Sequence, residues 1–441
     1  MRISIPKLTL NIFLIATAIL SPALAQQTGT PAISGELTLA DAVQTALKNS
    51  PMVRSAGVMA SAAQARVGMA QAMTRPQVSS SAFLGNSSMG DIITSPPGVM
   101  PSGVFSVPDK SAITGQFSAM IPLYTGGRLS GAVKSAKALS AAAASDRASM
   151  ERNVTLETKV AYHQALLARA TIGVYEDLVK EEQERVRIAE AAFNEGKIAK
   201  YDLLRNQAGL AESQQQLANA QRDAQVALVN LKTTLGVSQS SDITLQDQLT
   251  YAQTTNTLDS YLADAENNRS EIIAARSRVE SANSNVDVAK GAYKPQVYGS
   301  AMHGLTAASG GIDSGFTVGI TIGLPLIDGG QRRAAVNEAK SMLEAAKQDE
   351  QQALLGIHQD VHTVWAELQA ADKNVELSGT AVEQAQEDYR VIKLRYEAGK
   401  AVNVEVLDAL ASLVRARNNQ LMALYEHNIA RDRLARAIGE L

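Results

Sequence analysis

The chain repeats itself. Ile121-Pro122-Leu123-Tyr124-Thr125-Gly126-Gly127 returns as Leu324-Pro325-Leu326-Ile327-Asp328-Gly329-Gly330, 203 positions later. At the same offset Lys137 matches Lys340, Tyr162 matches Trp365 and Asp202 matches Glu405. Phe193-Asn194-Glu195-Gly196-Lys197 matches Tyr396-Glu397-Ala398-Gly399-Lys400, Leu204 matches Leu407, and Gly236 matches Gly439. Upstream the offset is 219: Asn49 matches Asn268, Ala63 matches Ala282, and Arg75-Pro76-Gln77-Val78 matches Lys294-Pro295-Gln296-Val297. The extra 16 residues of the first copy fall around Gly90 to Lys110, where prolines and glycines crowd as in a loop. Self-similarity on this scale means one supersecondary unit used twice.

Proline placement outlines that unit. None occurs from Leu123 to Lys294 or after Pro325. Proline in a helix interior costs about 3 kcal/mol, so both tracts are free to be helix. Arg128 to Asn194 and Gln331 to Glu397 are 67 residues each, mostly Ala, Leu, Val, Glu, Lys, Arg and Gln. At 1.5 Å per residue each predicts a helix of roughly 100 Å. Gly196 and Gly399 are placed to end them. Shorter helices are expected over Tyr201–Leu235 and Asn403–Ile438, and leading ones over Thr38–Thr74 and Leu258–Tyr293, the first with Pro51 inside it. A leading and a trailing helix together match one long helix, so stacking them end to end beside it is economical. Leu203, Leu210 and Leu217 recur at seven, as do Leu407, Val414 and Leu421, the period of helices that wind around partners. Aromatic residues make up only 4% of the chain, which suits long helices packed through small side chains better than one large core.

Four strands are expected: 77–86, 111–124, 296–306 and 315–327. Val318, Ile320, Ile322 and Leu324 alternate with Thr317, Gly319, Thr321 and Gly323, the period-two pattern of a membrane β-barrel wall. Their lengths suit spanning strands, which need about 9 to 11 residues. A soluble β-domain on a helical stalk is the alternative. Four strands cannot close a useful barrel and an open edge does not survive in lipid, so several copies would have to contribute; three would give twelve strands.

The amino terminus places the chain outside the cytoplasm. Arg2 and Lys7 precede an apolar stretch to about Leu20, and Ala23-Leu24-Ala25 follows, as in a secretory signal peptide over residues 1–25. A retained membrane anchor is the alternative. The expected organisation is then a first repeat over 26–236, a linker over 237–257 and a second repeat over 258–441. With no cysteine, disulfides, thiolate metal sites, thiol nucleophiles and a cysteine-linked lipid anchor are excluded. Without residues 1–25 the chain carries 39 basic and 44 acidic residues, which gives no sign of nucleic-acid binding.

These features resemble the TolC, or outer-membrane-factor, family across nearly the whole mature chain. The two Leu/Ile-Pro-Leu-x-x-Gly-Gly blocks carry the resemblance. So do the two aromatic-x-x-Gly-Lys turns, with Val404-Glu405-Val406-Leu407-Asp408-Ala409 after the second. The resemblance implies a mainly α chain with membrane β structure: a homotrimer with a twelve-stranded barrel in the outer membrane and a twelve-helix coiled tunnel across the periplasm. It implies a passive exit duct for tripartite efflux or type I secretion, docked to a periplasmic adaptor and an inner-membrane transporter, and opened by an iris-like movement of the helix tips. No cofactor, metal or catalysis is implied.

By the same resemblance Asp202, Glu405 and Asp408 would narrow the pore at the tip. Their competing role is to complement the dipole at a helix start. Lys197, Lys200 and Lys400 lie near the position where some members carry a basic lock, but the turn here is shorter and the lock cannot be placed. His358 and His362 stand four apart on a predicted helix, an acceptable metal-ligand spacing without a catalytic carboxylate pattern. No nucleophile elbow, phosphate loop or catalytic acid pair occurs. A periplasmic adaptor, with one helical hairpin between β-domains, and a structural coiled-coil stalk are the alternative readings.

Overall fold

A computed structural model describes residues 31–86, 111–253, 256–308 and 311–441. The signal peptide expected over 1–25 and the insertion expected around Gly90 to Lys110 lie outside the described residues. The first half runs β1 (Ser34–Leu37), α1 (Leu39–Asn49), α2 (Pro51–Ala72), β2 (Gln77–Asn86), β3 (Ser111–Tyr124), α3 (Arg128–Asn194), α4 (Lys200–Leu235) and β4 (Asp242–Leu245). The second runs α5 (Leu258–Asn268), α6 (Ser270–Gly291), β5 (Gln296–Ala308), β6 (Gly311–Gly323), α7 (Gln331–Glu397) and α8 (Asn403–Ile438). Both long helices have 67 residues and both trailing helices 36.

Three features differ from the sequence expectation. Each leading helix is broken. Ser50 adopts φ −58°, ψ 123°, because the residue before a proline avoids the helical region, and Pro51 starts α2 where its missing N–H costs nothing. Arg269 adopts nearly the same backbone, φ −70° and ψ 124°, with no proline after it. Its buried guanidinium is held by Glu271 at 3.2 Å and Asp360 at 3.0 Å. Second, β6 starts earlier than expected and stops at Gly323, ahead of Pro325, which has no N–H for a ladder. β3 instead continues past Pro122 through a register shift. Third, the segment expected as linker contains β4, paired in parallel with β1.

The main sheet is antiparallel in the order β2-β3-β5-β6. Its register puts Val78, Phe117, Ala119, Ile121, Val297, Ala301, Phe316, Val318, Ile320 and Ile322 on one face. His303, between Phe117 and Phe316, is the imidazole on that face. The other face carries Ser79, Ser81, Gln116, Ser118, Ser300, Thr317 and Thr321, and the Ser79 and Ser118 hydroxyls meet at 2.8 Å. Among the described residues nothing covers the β6 part of the apolar face: Phe316, Val318, Ile320 and Ile322 are each 65% exposed or more.

The helices nearest the sheet repeat its order. α2 packs on α3, α3 on α6 and α6 on α7. Further along, α4 takes over the flank of α3, and α8 that of α7. The stacked helices meet end to end, so closely that a side chain would not fit. A Cβ on Gly439 would lie 2.9 Å from the backbone carbonyl of Asn268, and one on Gly236 would lie 3.1 Å from Asn49 Cβ. Both glycines also hold the left-handed backbone that ends α8 and α4.

Two equivalent apolar cores sit at these junctions. One gathers Leu37, Ala46, Tyr162, Leu231, Leu235 and Ile243. The other gathers Tyr261, Ile272, Val361, Leu368, Leu434 and Ile438. Tyr162 has no exposed surface, and its hydroxyl lies 2.8 Å from the Leu37 carbonyl and 2.7 Å from Asp247 Oδ2. Asp247 Oδ2 also accepts from the Leu39 amide at the start of α1. Tyr162→Phe removes the hydrogen bond to the Asp247 carboxylate, although Leu37 keeps its bond from the Gln246 amide and Asp247 its bond from the Leu39 amide, and should cost about 1–3 kcal/mol, read as a lowered unfolding midpoint in detergent. An unchanged midpoint would mean that this hydroxyl does not tie the β1–β4 strap to α3.

Candidate functional site

The end of the helical body farthest from the sheet is formed by two hairpins, α3–α4 and α7–α8. Each turns by the same device. Gly196 donates to the Phe193 carbonyl and Lys197 to the Ala192 carbonyl; Gly399 donates to Tyr396 and Lys400 to Arg395. Gly196 and Gly399 have φ of 72° and 71°, the left-handed conformation that this helix stop requires. The two turns superpose in pattern because the sequence repeat carries one glycine to the same place in each.

A small apolar core lies just inside the turns: Val406, Ala409, Leu410 and Leu413 of α8 against Tyr389 of α7, with Leu178 of α3 packed on them. Around it, polar bonds join the two hairpins. The Tyr389 hydroxyl donates to Glu181 Oε2 at 2.7 Å, and Lys393 Nζ donates to the same oxygen at 2.9 Å. Arg185 donates to Asn403 Oδ1 at 2.9 Å, and the Asn403 amide reaches Asn206 Oδ1 at 3.3 Å. Arg417 pairs with Asp177 at 3.3 Å. Burial alone would raise the Glu181 carboxyl, but the hydrogen bonds from Lys393 and Tyr389 outweigh it and hold the group below its ordinary range. Glu182 behaves oppositely: burial pushes it up despite the nearby Arg185.

Further along, the buried Asp432 of α8 receives Lys159 at 2.9 Å and His163 at 3.0 Å, both from α3. His427, fully buried, sits 2.8 Å from Asp372 and accepts from the Ala252 amide. These bonds fasten α3 and the inter-repeat segment to α8.

The residues expected at the pore fall as follows. Glu405 and Asp408 are exposed in the first turns of α8, three apart and so on one side of the helix, away from the buried Val406, Ala409 and Leu410. Asp202 is half-buried on a different helix, in the first turn of α4, where its carbonyl accepts from Asn206. Among the described residues none of the three carboxylates is in an ion pair. Lys197 pairs with Glu195 beside the turn. His358 pairs with Glu266 of α5 at 2.7 Å, while His362 is exposed, so the two do not converge.

The model of the family described as "Outer membrane efflux protein" matches residues 42–237 and 261–440. The chain belongs to that family. Among curated relatives, this outer-membrane efflux protein is 26% identical to Protein CyaE of Bordetella pertussis over 414 residues, 92% of this chain and 85% of the other. It is 23% identical to the outer membrane efflux protein BepC of Brucella suis over 305 residues, 66% of this chain and 64% of the other. The solved structure of the outer membrane protein VceC from Vibrio cholerae has the same fold, with a TM-score of 0.73 at 20% identity over 91% of this chain and 96% of that one. The family is one of outer-membrane channels, not of enzymes.

Sequence reasoning missed the inter-hairpin ties. Tyr389 and Lys393 stand four apart on α7, a spacing that signals a shared face, but nothing in the sequence names Glu181 as the partner. The Glu181 tie gives a test with a defined sign. A carboxyl held below its ordinary value near 4.5 stabilises the contact above that pH, and the contribution is lost as pH falls through the lowered value. Tyr389→Phe and Glu181→Gln should each speed amide exchange several-fold over the two hairpin ends at neutral pH, with little change in the melting of the rest. The wild type should approach the Glu181→Gln rates as the pH is taken down through the lowered Glu181 value. Equal exchange in wild type and variants at neutral pH would show that the tie does not hold the tip.

Proposed function

We propose that this protein is the outer-membrane channel of a tripartite efflux or type I secretion system, a homotrimeric duct that performs no chemistry. The observation that carries this reading is that sheet and helical layer are open in the same two places. The sheet ends at β2 and β6, and the helical layer beside it ends at α2 and α7. α7 buries only five residues along its 67, where α3 buries seventeen. Met342, Leu355 and Leu377 on α7 and Met52, Met59 and Met69 on α2 are all more than half exposed.

One head-to-tail contact, β6 and α7 of one copy against β2 and α2 of the next, covers both edges at once. Four antiparallel strands per copy leave β6 running opposite to the next β2, so the ladder continues without a break in alternation. An eight-stranded barrel is filled by its own side chains. Three copies, with twelve strands, form the smallest ring of this unit that leaves a passage. Its apolar face meets outer-membrane lipid and its hydroxyl face lines the lumen, as alternation requires. The long helices carry the duct about 100 Å into the periplasm. Residues 1–25 direct export and are removed.

At the far end Glu405 and Asp408 line the narrowing, with Asp202 near the entrance. Three copies of each around an axis concentrate negative charge. The tip opens by iris-like movement of the hairpins, and the Glu181–Tyr389–Lys393 tie holds the closed arrangement. A periplasmic adaptor and an inner-membrane transporter supply the docking partner and the energy.

Negative-stain electron microscopy of the detergent-extracted protein should show threefold particles with a thin tube of about 100 Å. Monomeric particles would sink the ring. In planar bilayers, Glu405→Gln combined with Asp408→Asn should lower cation over anion selectivity, and unchanged selectivity would remove both residues from the pore.

A further inference from the structure

We propose that the seam between neighbouring copies repeats, residue for residue, the seam that already joins the two halves of one chain, an inference that rests on the ring above and fixes its register. The offsets of 203 and 219 hold in space as well as in sequence. Gln77 pairs with Met120 in the first half, and Gln296 with Gly323 in the second. Gly236 abuts Asn49, and Gly439 abuts Asn268.

Within the chain the halves meet through β3 on β5 and α3 on α6. The counterparts of β3 and α3 are β6 and α7, and those of β5 and α6 are β2 and α2. These are the elements at the two open edges. Moving each side of the inner seam by its own offset gives the register of the outer one. Ala119 opposite Ala301 becomes Ile322 opposite Ala82, and Met120 opposite Ser300 becomes Gly323 opposite Ser81. Ile322 and Ala82 already lie on the apolar face of the sheet, and Gly323 and Ser81 on the other. A slip of one residue would break that agreement.

The helices agree through charge. On the inner seam Ser135 Oγ meets Ser281 Oγ at 2.8 Å, and Asp146 of α3 pairs with Arg278 of α6 at 2.6 Å. The same offsets put Glu338 of α7 opposite Ala62 of the next copy, and Asp349 opposite Met59. Arg54 and Arg66 are the only charged residues of α2. All four charged side chains are exposed, and none is in an ion pair among the described residues. α7 runs away from the sheet and α2 towards it. Glu338 and Asp349 are eleven residues apart and Arg66 and Arg54 twelve, so antiparallel helices bring Glu338 level with Arg66 and Asp349 level with Arg54 together. The outer seam thus keeps the polarity of the inner one, acid on the long helix and arginine on the leading helix.

The chain has no cysteine, so introduced thiols are the only ones. Ala62 and Glu338 are exposed and correspond to the two serines whose hydroxyls touch, a separation that suits a disulfide. Oxidising the full detergent-extracted chain carrying Ala62→Cys and Glu338→Cys should give a three-chain species as the main product on a non-reducing gel. Either single variant should run as one chain. Ala62→Cys with Ala345→Cys, about two turns out of register, should not cross-link. Glu338→Arg sets like charges opposite each other and should lower by several degrees the temperature at which the three-chain particle dissociates. Adding Arg66→Glu should restore it. Threefold particles without the cross-link between positions 62 and 338, cross-linking through 345 instead, or charge reversal with no effect or no rescue would overturn the register and leave the ring standing. Monomeric particles in the microscope would overturn ring and register together.

Discussion

Two open edges govern this molecule. Among the described residues no further strand pairs with the outer edges of β2 and β6, and inside a bilayer each unsatisfied backbone group costs several kcal/mol. No helix among the described residues is long and apolar enough to cross a membrane. The apolar sheet face, which no described residue covers, is the surface suited to lipid, and that face is tenable only when the edges are paired. Because α2 and α7 are the free flanks of the helical layer as well, a contact that paired the two sheet edges would also cover the exposed methionines and leucines. A contact between two different edges repeats from copy to copy and closes into a ring when the rotation returns the last copy to the first.

The helical body is not uniform along its length. The two junction cores bury large side chains such as Tyr162, Leu231, Ile272 and Leu368 almost completely. The tip core is smaller, and the hairpins there are joined largely by hydrogen bonds and ion pairs with partly exposed partners, such as Lys393 with Glu181. Such pairs contribute little net stability, and breaking them exposes charges that water can solvate again. The apolar part of the body is thus the expensive part to open and the polar tip the cheap one. That gradient is what a duct gated at one end requires.

Much of this was legible in the sequence. The repeat fixed which elements are equivalent. The proline-free tracts marked both long helices to their ends, and the glycines marked the turns. The break at Pro51 could have been read from the residue-before-proline rule. Its counterpart at Arg269 could not, since that backbone is held by a buried guanidinium whose acceptors include Asp360, far along the chain. The strand β4 hid in a short polar segment whose pairing with β1 is decided by proximity rather than propensity. At the tip, the positions of Glu405 and Asp408 on α8 followed from the helix expected over Asn403–Ile438, whereas the ties did not. Glutamate and arginine occur on all four hairpin helices, and only packing decides which of them meet.

Local rules acting along the chain set the element types, their lengths, the turn glycines and the doubling of the unit, because propensity, proline exclusion and period are all properties of neighbours in sequence. The tertiary structure alone decided that sheet and helices share one order and one pair of open edges, and that Glu181 answers Tyr389 and Lys393. Those are contacts between residues far apart in the chain, and their energies exist only after the long helices have been laid side by side.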